Sequence, residues 1–415
     1  MQAILRNTRS TLFPRALTSL HKGPLYSLQS RFFAKVAKGP NSVQADNKKL
    51  QIEWADGQTS SFHHYWLRDH CRCSSCFHAI TKQRLVDTYL IPPEIVAKDV
   101  NLVADKVQVQ WSHQDHTSEY SLEWLRDHSY DPKLKVETTS RKKVVWDRSI
   151  ASNPPIVQYD DIMSSEDSLR QWLNNIDIYG FSFVDNVPKS KERTEELARK
   201  ICFVRETHYG GFWDFTADLA HGDTAYTTLP LNSHTDNTYF TDPSGLQMFH
   251  LLEFDGKGGE SVFVDGLNVA QKLRESHPDS YEFLSNTRIV THSAGDEHVF
   301  INPTPRGYPI LNHDPMTGEL YQIRFNNDDR STLDYLAGED VERFYKALRN
   351  WNDILRQPQS EYQIQLEPGR VVVFNNWRVL HGRTAFVGHR RLIGCYLNWD
   401  DYNSKLKVLN NEKNV

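Results

Sequence analysis

Short apolar runs, each closed off by Gly, Pro or Asn, constrain the fold of this chain more than any other feature. Residues 261–264, 287–291, 321–325, 370–374 and 392–397 are rich in Val, Ile, Phe and Tyr, and such runs read as strands of a β core. No run approaches the roughly 18 apolar residues that a membrane-crossing helix needs. Helical periodicity lies beside these runs. Val341, Phe344, Leu348, Trp351 and Leu355 recur at spacings of three and four, which predicts an amphipathic helix over 339–356 with that face buried. Ser164, paired with Asp167, is the expected N-cap of a helix over 164–176, and 191–204 is a further helix. Residues 178–184 between them read as a strand. The fold class is therefore α+β, a β core flanked by helices, and neither an internal repeat nor a low-complexity tract is evident.

Upstream, residues 49–148 alternate in short runs such as 50–54 and 107–111, which predicts a small β-rich domain over 49–150. Asn153, Pro154 and Pro155 then punctuate a linker over 151–155, because a Pro-Pro pair continues neither a helix nor a ladder. A second domain is expected from Ile156 to about residue 405, and 415 residues suffice for one large core plus a small accessory one. The first acidic residue is Asp46, whereas Arg6, Arg9, Arg15, Lys22, Arg31, Lys35 and Lys38 precede it. That composition fits a mitochondrial transit peptide over 1–33, cut after Arg31-Phe32-Phe33, and hence a matrix protein. A net charge of −5 offers no overall basic footprint for nucleic acid, so a small-molecule partner is expected, with no membrane partner.

Of five cysteines, Cys71, Cys73 and Cys76 crowd into six positions, an arrangement suited to a metal rather than to a disulfide framework. Three thiolates need a fourth ligand for tetrahedral zinc; His78 is near in sequence but only two residues from Cys76. A second metal signal is His-x-Asp followed by a distant His, since two imidazoles and a carboxylate on one face of Fe(II) leave positions open for other ligands. The triplet occurs four times, at His113/Asp115, His221/Asp223, His234/Asp236 and His277/Asp279, so the pattern alone does not select. Context does. His277 lies in a turn between helices and His113 in the small domain, whereas His234 and Asp236 sit in a β-rich stretch followed by Pro243-Ser244-Gly245-Leu246-Gln247. His381, within Asn376-Trp377-Arg378-Val379-Leu380-His381-Gly382-Arg383, follows the strand at 370–374, and strands remote in sequence lie side by side in a jelly roll.

The segments Arg205-Glu206-Thr207-His208-Tyr209-Gly210, Gly222-Asp223-Thr224-Ala225-Tyr226-Thr227, His234-Thr235-Asp236 and 376–383 resemble those of the trimethyllysine and γ-butyrobetaine dioxygenase family of Fe(II)/2-oxoglutarate oxygenases, over about residues 50–405. The resemblance implies a double-stranded β-helix (jelly-roll) catalytic domain, preceded by a small zinc-bearing domain in which His116 completes the site with Cys71, Cys73 and Cys76. It implies His234, Asp236 and His381 as iron ligands and catalytic residues. It also implies a homodimer and an activity sustained by ascorbate. The cosubstrate 2-oxoglutarate is a dianion whose far carboxylate calls for a guanidinium. Arg390 fits that role, with Arg391 and Arg383 as alternatives, and only one of the neighbours 390 and 391 can point inward from a strand. Tyr209, Trp213, Tyr226 and Tyr396 match the positions of an aromatic cage for a quaternary ammonium, which is held by cation–π attraction. Asp223 stands where the butyrobetaine enzyme has Asn, and a carboxylate there suits the α-ammonium of trimethyllysine; Asn326 and Asn327 are candidates to orient the substrate carboxylate. The implied reaction is C3 hydroxylation of N6,N6,N6-trimethyl-L-lysine by O2, coupled to decarboxylation of 2-oxoglutarate to succinate and CO2, the first step of carnitine biosynthesis. The alternative is hydroxylation of γ-butyrobetaine to carnitine.

Overall fold

The computed structural model describes residues 39–135, 141–216 and 227–412, in two compact units that divide at residues 137 and 138. The first unit contains two antiparallel three-stranded meanders, Ser42–Ala45, Lys49–Glu53, Thr59–His63 and Ala97–Val103, Lys106–Trp111, Thr117–Ser121. Alternation along them sends Leu50, Ile52, Val107, Val109 and Trp111 into a common core. Each meander runs into a one-turn-and-a-half helix, His64–Asp69 or Leu122–Asp127.

These halves are two copies of one β-β-β-α unit, contrary to the expectation of no repeat. Trp66-Leu67-Arg68-Asp69-His70 recurs as Trp124-Leu125-Arg126-Asp127-His128, and the contacts recur with it. Trp54 and Trp111 each donate their indole N–H, at 2.8 Å, to Ser60 and Ser118 respectively. His70 and His128 each donate Nδ1–H to the carbonyl four residues back, at 2.7 and 2.8 Å. Trp66 and Trp124 stack on each other at 5.5 Å.

In the second unit, one sheet runs in the order Val204–Arg205, Phe386–Leu397, Leu246–Gly258, Val371–Asn375, Phe181–Asp185, Ile156–Gln158, with Phe212–Phe215 also pairing to Phe386–Leu397. A second sheet has the order Leu231–His234, Val379–Arg383, Ser261–Asp265, Tyr362–Ile364. All their pairings are antiparallel except that of Ile156–Gln158 with Phe181–Asp185. Phe181, Phe183, Phe263, Val372, Phe374 and Tyr362 fill the space between the sheets. The larger sheet turns Val371, Val373, Leu246 and Met248 toward helices Glu166–Tyr179, Lys191–Ile201 and Trp399–Leu409. The smaller sheet packs on helices Gly266–Ser276, Pro278–Asn286 and Gly338–Leu355. This is the curled, jelly-roll-like double sheet with flanking helices. No described helix is long and apolar enough to cross a membrane.

Several boundaries differ from expectation. The N-cap is Ser165, whose hydroxyl accepts from the Ser168 N–H, not Ser164. That helix continues through Tyr179 and ends at Gly180, whose φ of 81° is a left-handed cap, so the next strand starts at Phe181 rather than 178. Residues 287–291 make only isolated bridges, Ile289 to Tyr308 and Thr291 to Arg330. The division falls before the Pro-Pro segment because 141–150 is tied to the second unit. There the Trp146 backbone donates to Asp265 at 3.1 Å and its indole to the Tyr179 carbonyl at 2.6 Å, while Arg148 N donates to Gln359 O at 2.8 Å.

Candidate active site

Two neighbouring strands of the smaller sheet bring the candidate iron ligands together. His234 ends one strand and His381 lies mid-way along the next, and the two are direct cross-strand partners with ring centroids 4.4 Å apart. Asp236 follows His234 by two residues and turns back, its Oδ1 at 3.1 Å from His234 Nε2 and its Oδ2 at 3.8 Å from His381 Nε2. One donor atom from each of the three lies within 4.8 Å of the others. Two imidazole nitrogens and one carboxylate oxygen from one wall make a donor set that fits Fe(II) with open positions.

The surroundings fix each donor. His234 Nδ1 donates to the Asn232 carbonyl at 2.7 Å, which presents Nε2 to the site. Asn376 clamps the Asp236 backbone, accepting from its N–H at 2.8 Å and donating to its carbonyl at 3.0 Å. Gln247 and Tyr396 both donate to Asp236 Oδ2, each at 2.7 Å. Burial works against the charge on Asp236, yet the imidazoles of His381 and His234 and the Tyr396 hydroxyl hold its carboxyl below the ordinary range. Burial pushes His381 down to about 3, so this ring is neutral and offers a lone pair.

A cavity of about 480 Å³ opens onto these three side chains. Tyr209, Trp213, Tyr239, Phe249 and Tyr396 form an aromatic wall. Trp213 meets Tyr396 edge-on at 5.1 Å, and the hydroxyls of Tyr209 and Tyr239 are 3.2 Å apart. Trp213 seats over Gly394, where a Cβ would fall 2.4 Å from its ring. Arg390 and Arg383 supply positive charge elsewhere in the lining, and Asn326, Asp328, Asp329 and His292 a polar side.

Of the adjacent arginines, Arg390 turns inward and is only 8% exposed. Arg391 pairs outside with Asp214, at 3.0 and 2.7 Å, and with Glu253 at 3.1 Å. No carboxylate among the described residues pairs with Arg390, whose pKa burial and then Arg383 lower to about 10, leaving a cation at neutral pH. A buried cation without a counter-ion is costly, so the charge at this end of the cavity suits an anion. Arg383 also lines the cavity but commits Nη2 to the carbonyls of Thr227 and Leu229, at 2.7 and 2.8 Å.

Asn326 lines the cavity and donates to Asp329 at 2.8 Å, whereas Asn327 lies outside its lining. Asp223 and Tyr226 lie outside the described residues. Sequence reasoning gave no role to Tyr239, Gln247, Asn376 or Asp329. Gln247 and Asn376 stood within quoted motifs, but nothing in a single sequence marks which motif member reaches a ligand.

In the first unit, Cys71, Cys73, Cys76 and His116 form a second cluster of potential ligands. His116 Nε2 is 3.3, 3.8 and 3.6 Å from the three sulfurs in that order. His78 instead accepts from the Thr81 N–H at 3.1 Å and is exposed.

Residues 119–396 match the sequence model of the family described as taurine catabolism dioxygenase TauD, TfdA family. Residues 41–153 match the gamma-butyrobetaine hydroxylase-like N-terminal region. The chain is similar to a trimethyllysine dioxygenase of Meyerozyma guilliermondii, 41% identical with 88% of this chain and 94% of the relative covered. It is 39% identical to the mitochondrial trimethyllysine dioxygenase of Homo sapiens, with 84% and 82% covered. Similarity to the gamma-butyrobetaine dioxygenase of Homo sapiens is lower, 28% with 87% and 94% covered. Fold, metal-ligand geometry and these likenesses agree, and the chain belongs to the trimethyllysine dioxygenase family of Fe(II)/2-oxoglutarate oxygenases.

Proposed function

We propose that the chain hydroxylates free N6,N6,N6-trimethyllysine at C3, as the first step of carnitine biosynthesis. One oxygen atom of O2 enters the new hydroxyl and the other enters succinate as 2-oxoglutarate loses CO2. The observation that carries this reading is the meeting, in one cavity, of a His-Asp-His triad, a buried arginine with no carboxylate partner among the described residues and an aromatic wall. His234, Asp236 and His381 would hold Fe(II), which supplies the redox chemistry when bound. Arg390 would take the distal carboxylate of 2-oxoglutarate, as a guanidinium does in bidentate pairing. Tyr209, Trp213 and Tyr396, with Tyr226, would hold the trimethylammonium group, which cannot donate a hydrogen bond and is attracted by π faces. Asn326, and Asp223, would meet the amino acid end. The protein's contribution is to fix which carbon faces the metal.

The cysteine cluster with His116 would hold a structural zinc, since four protein ligands leave no vacancy for catalysis. Ascorbate would sustain activity, and the enzyme would act as a homodimer in the mitochondrial matrix after loss of residues 1–33, which lie outside the described residues. The human relative's name includes the word mitochondrial, and the basic, acid-free amino terminus supports the same address. Competition between the two quaternary amines tests the substrate: kcat/KM for trimethyllysine should exceed that for γ-butyrobetaine by at least about tenfold, the discrimination that one ion pair can supply. A preference for γ-butyrobetaine would overturn the assignment.

A further inference from the structure

Tyr396 belongs to two sites at once. Its ring forms part of the aromatic wall, edge-on to Trp213 with 69° between planes, while its hydroxyl donates to Asp236 Oδ2 at 2.7 Å. On the neighbouring strand Gln247 is its cross-strand partner and donates to the same oxygen, also at 2.7 Å. With two donors committed to Oδ2, the plane of the carboxylate is set, and Oδ1 is the oxygen turned toward His234 Nε2. Such donors orient a ligand and sharpen its metal affinity.

We infer that Tyr396 is a positioning residue for the metal as well as a wall of the cation box, so that substrate and metal ligand touch opposite ends of one side chain. The inference rests on reading the aromatic wall as the box for the quaternary ammonium. Cation–π contact uses the ring face and no part of the hydroxyl, so the two roles are separable by substitution. Any effect that binding at one site has on the other through this side chain is reciprocal.

Tyr396→Phe keeps the ring and removes the donor, Tyr396→Ala removes both, and Gln247→Leu removes the second donor without touching the ring. Each full-length variant is titrated calorimetrically with Mn(II), and then, saturated with Mn(II) and 2-oxoglutarate, with trimethyllysine. Tyr396→Phe should weaken Mn(II) at least about 10-fold yet hold trimethyllysine within about 2-fold of the parent. Gln247→Leu should behave the same way, and Tyr396→Ala should lose affinity for both ligands. Unchanged Mn(II) affinity in both Tyr396→Phe and Gln247→Leu would overturn the metal-positioning role. Full trimethyllysine affinity in Tyr396→Ala would instead overturn the cation box and, with it, the shared role, while leaving the metal-side measurements interpretable.

Discussion

Arg390 and Arg391 show how one backbone step separates chemistry from surface. Strand alternation already requires that only one of them face inward, but the register that decides which one comes from pairing with Leu246–Gly258, where Phe254 and Glu253 stand opposite. Arg391 spends its charge on Asp214 and Glu253, whereas Arg390 meets none among the described residues. Charge-assisted hydrogen bonds are worth roughly 1.5–3 kcal/mol. Arg390→Met should therefore raise the KM for 2-oxoglutarate by about 10- to 100-fold, and Arg391→Ala should leave it within about 2-fold. Equal effects in steady-state kinetics would show that the inward arginine has no special part. The clustered side chains His234, Asp236 and His381 were legible at this scale because His-x-Asp and a distant His survive as words in the sequence, with context choosing among four such triplets. Gln247 and Tyr239 were not, since an amide or a phenol gains its meaning only from what the fold sets beside it.

Among elements, Leu246–Gly258 is the most instructive. It lies at the middle of the larger sheet between Phe386–Leu397 and Val371–Asn375, yet sequence inspection gave it no strand. A strand buried on both faces carries no period-two pattern, and His250 and Glu253 interrupt its apolar run. The amphipathic helix Gly338–Leu355 was legible for the converse reason, since only one of its faces is covered. His250 is fully buried, its Nδ1 2.7 Å from the Thr194 hydroxyl, and burial alone pushes its pKa down to about 4. Above the unfolded-chain value of about 6.5 the ring is neutral in both states. Between about 6.5 and 4 the unfolded chain takes a proton that the folded one refuses, so stability falls as pH drops through that window. From pH 7.5 to 5 the loss assigned to this ring is about 2 kcal/mol. Urea unfolding at the two pH values should show His250→Gln losing less stability than the parent by that amount; parallel losses would mean that the ring is protonated in the native protein.

For the whole molecule, composition and punctuation led to the expectation of a small domain over 49–150 and a linker over 151–155, whereas the two compact units divide at residues 137 and 138. The duplication inside the first unit escaped because its identity is concentrated in a five-residue word and in scattered Trp and Ser positions, which become equivalent only when Trp54–Ser60 and Trp111–Ser118 are seen bonded alike. Cys71, Cys73 and Cys76 follow the first copy of that word and have no counterpart after the second, so the cysteine cluster breaks the symmetry. Apparent binding energies of structural zinc are about 10–16 kcal/mol at neutral pH in small domains. Cys76→Ser should therefore lower zinc content by mass spectrometry from one per chain toward none and lower the melting temperature; undiminished zinc would remove the cluster from the account.

Everything functional depends on His234, Asp236 and His381 gathering one redox-active metal beside a cation-binding wall. The most direct test supplies purified full-length protein with Fe(II), 2-oxoglutarate, O2 and free trimethyllysine, and follows hydroxylated product and succinate together by mass spectrometry. The parent chain should form 3-hydroxytrimethyllysine in step with succinate, and neither Asp236→Ala nor His381→Ala should form it. Equal product from those two variants, or none from the iron-loaded parent, would contradict that dependence.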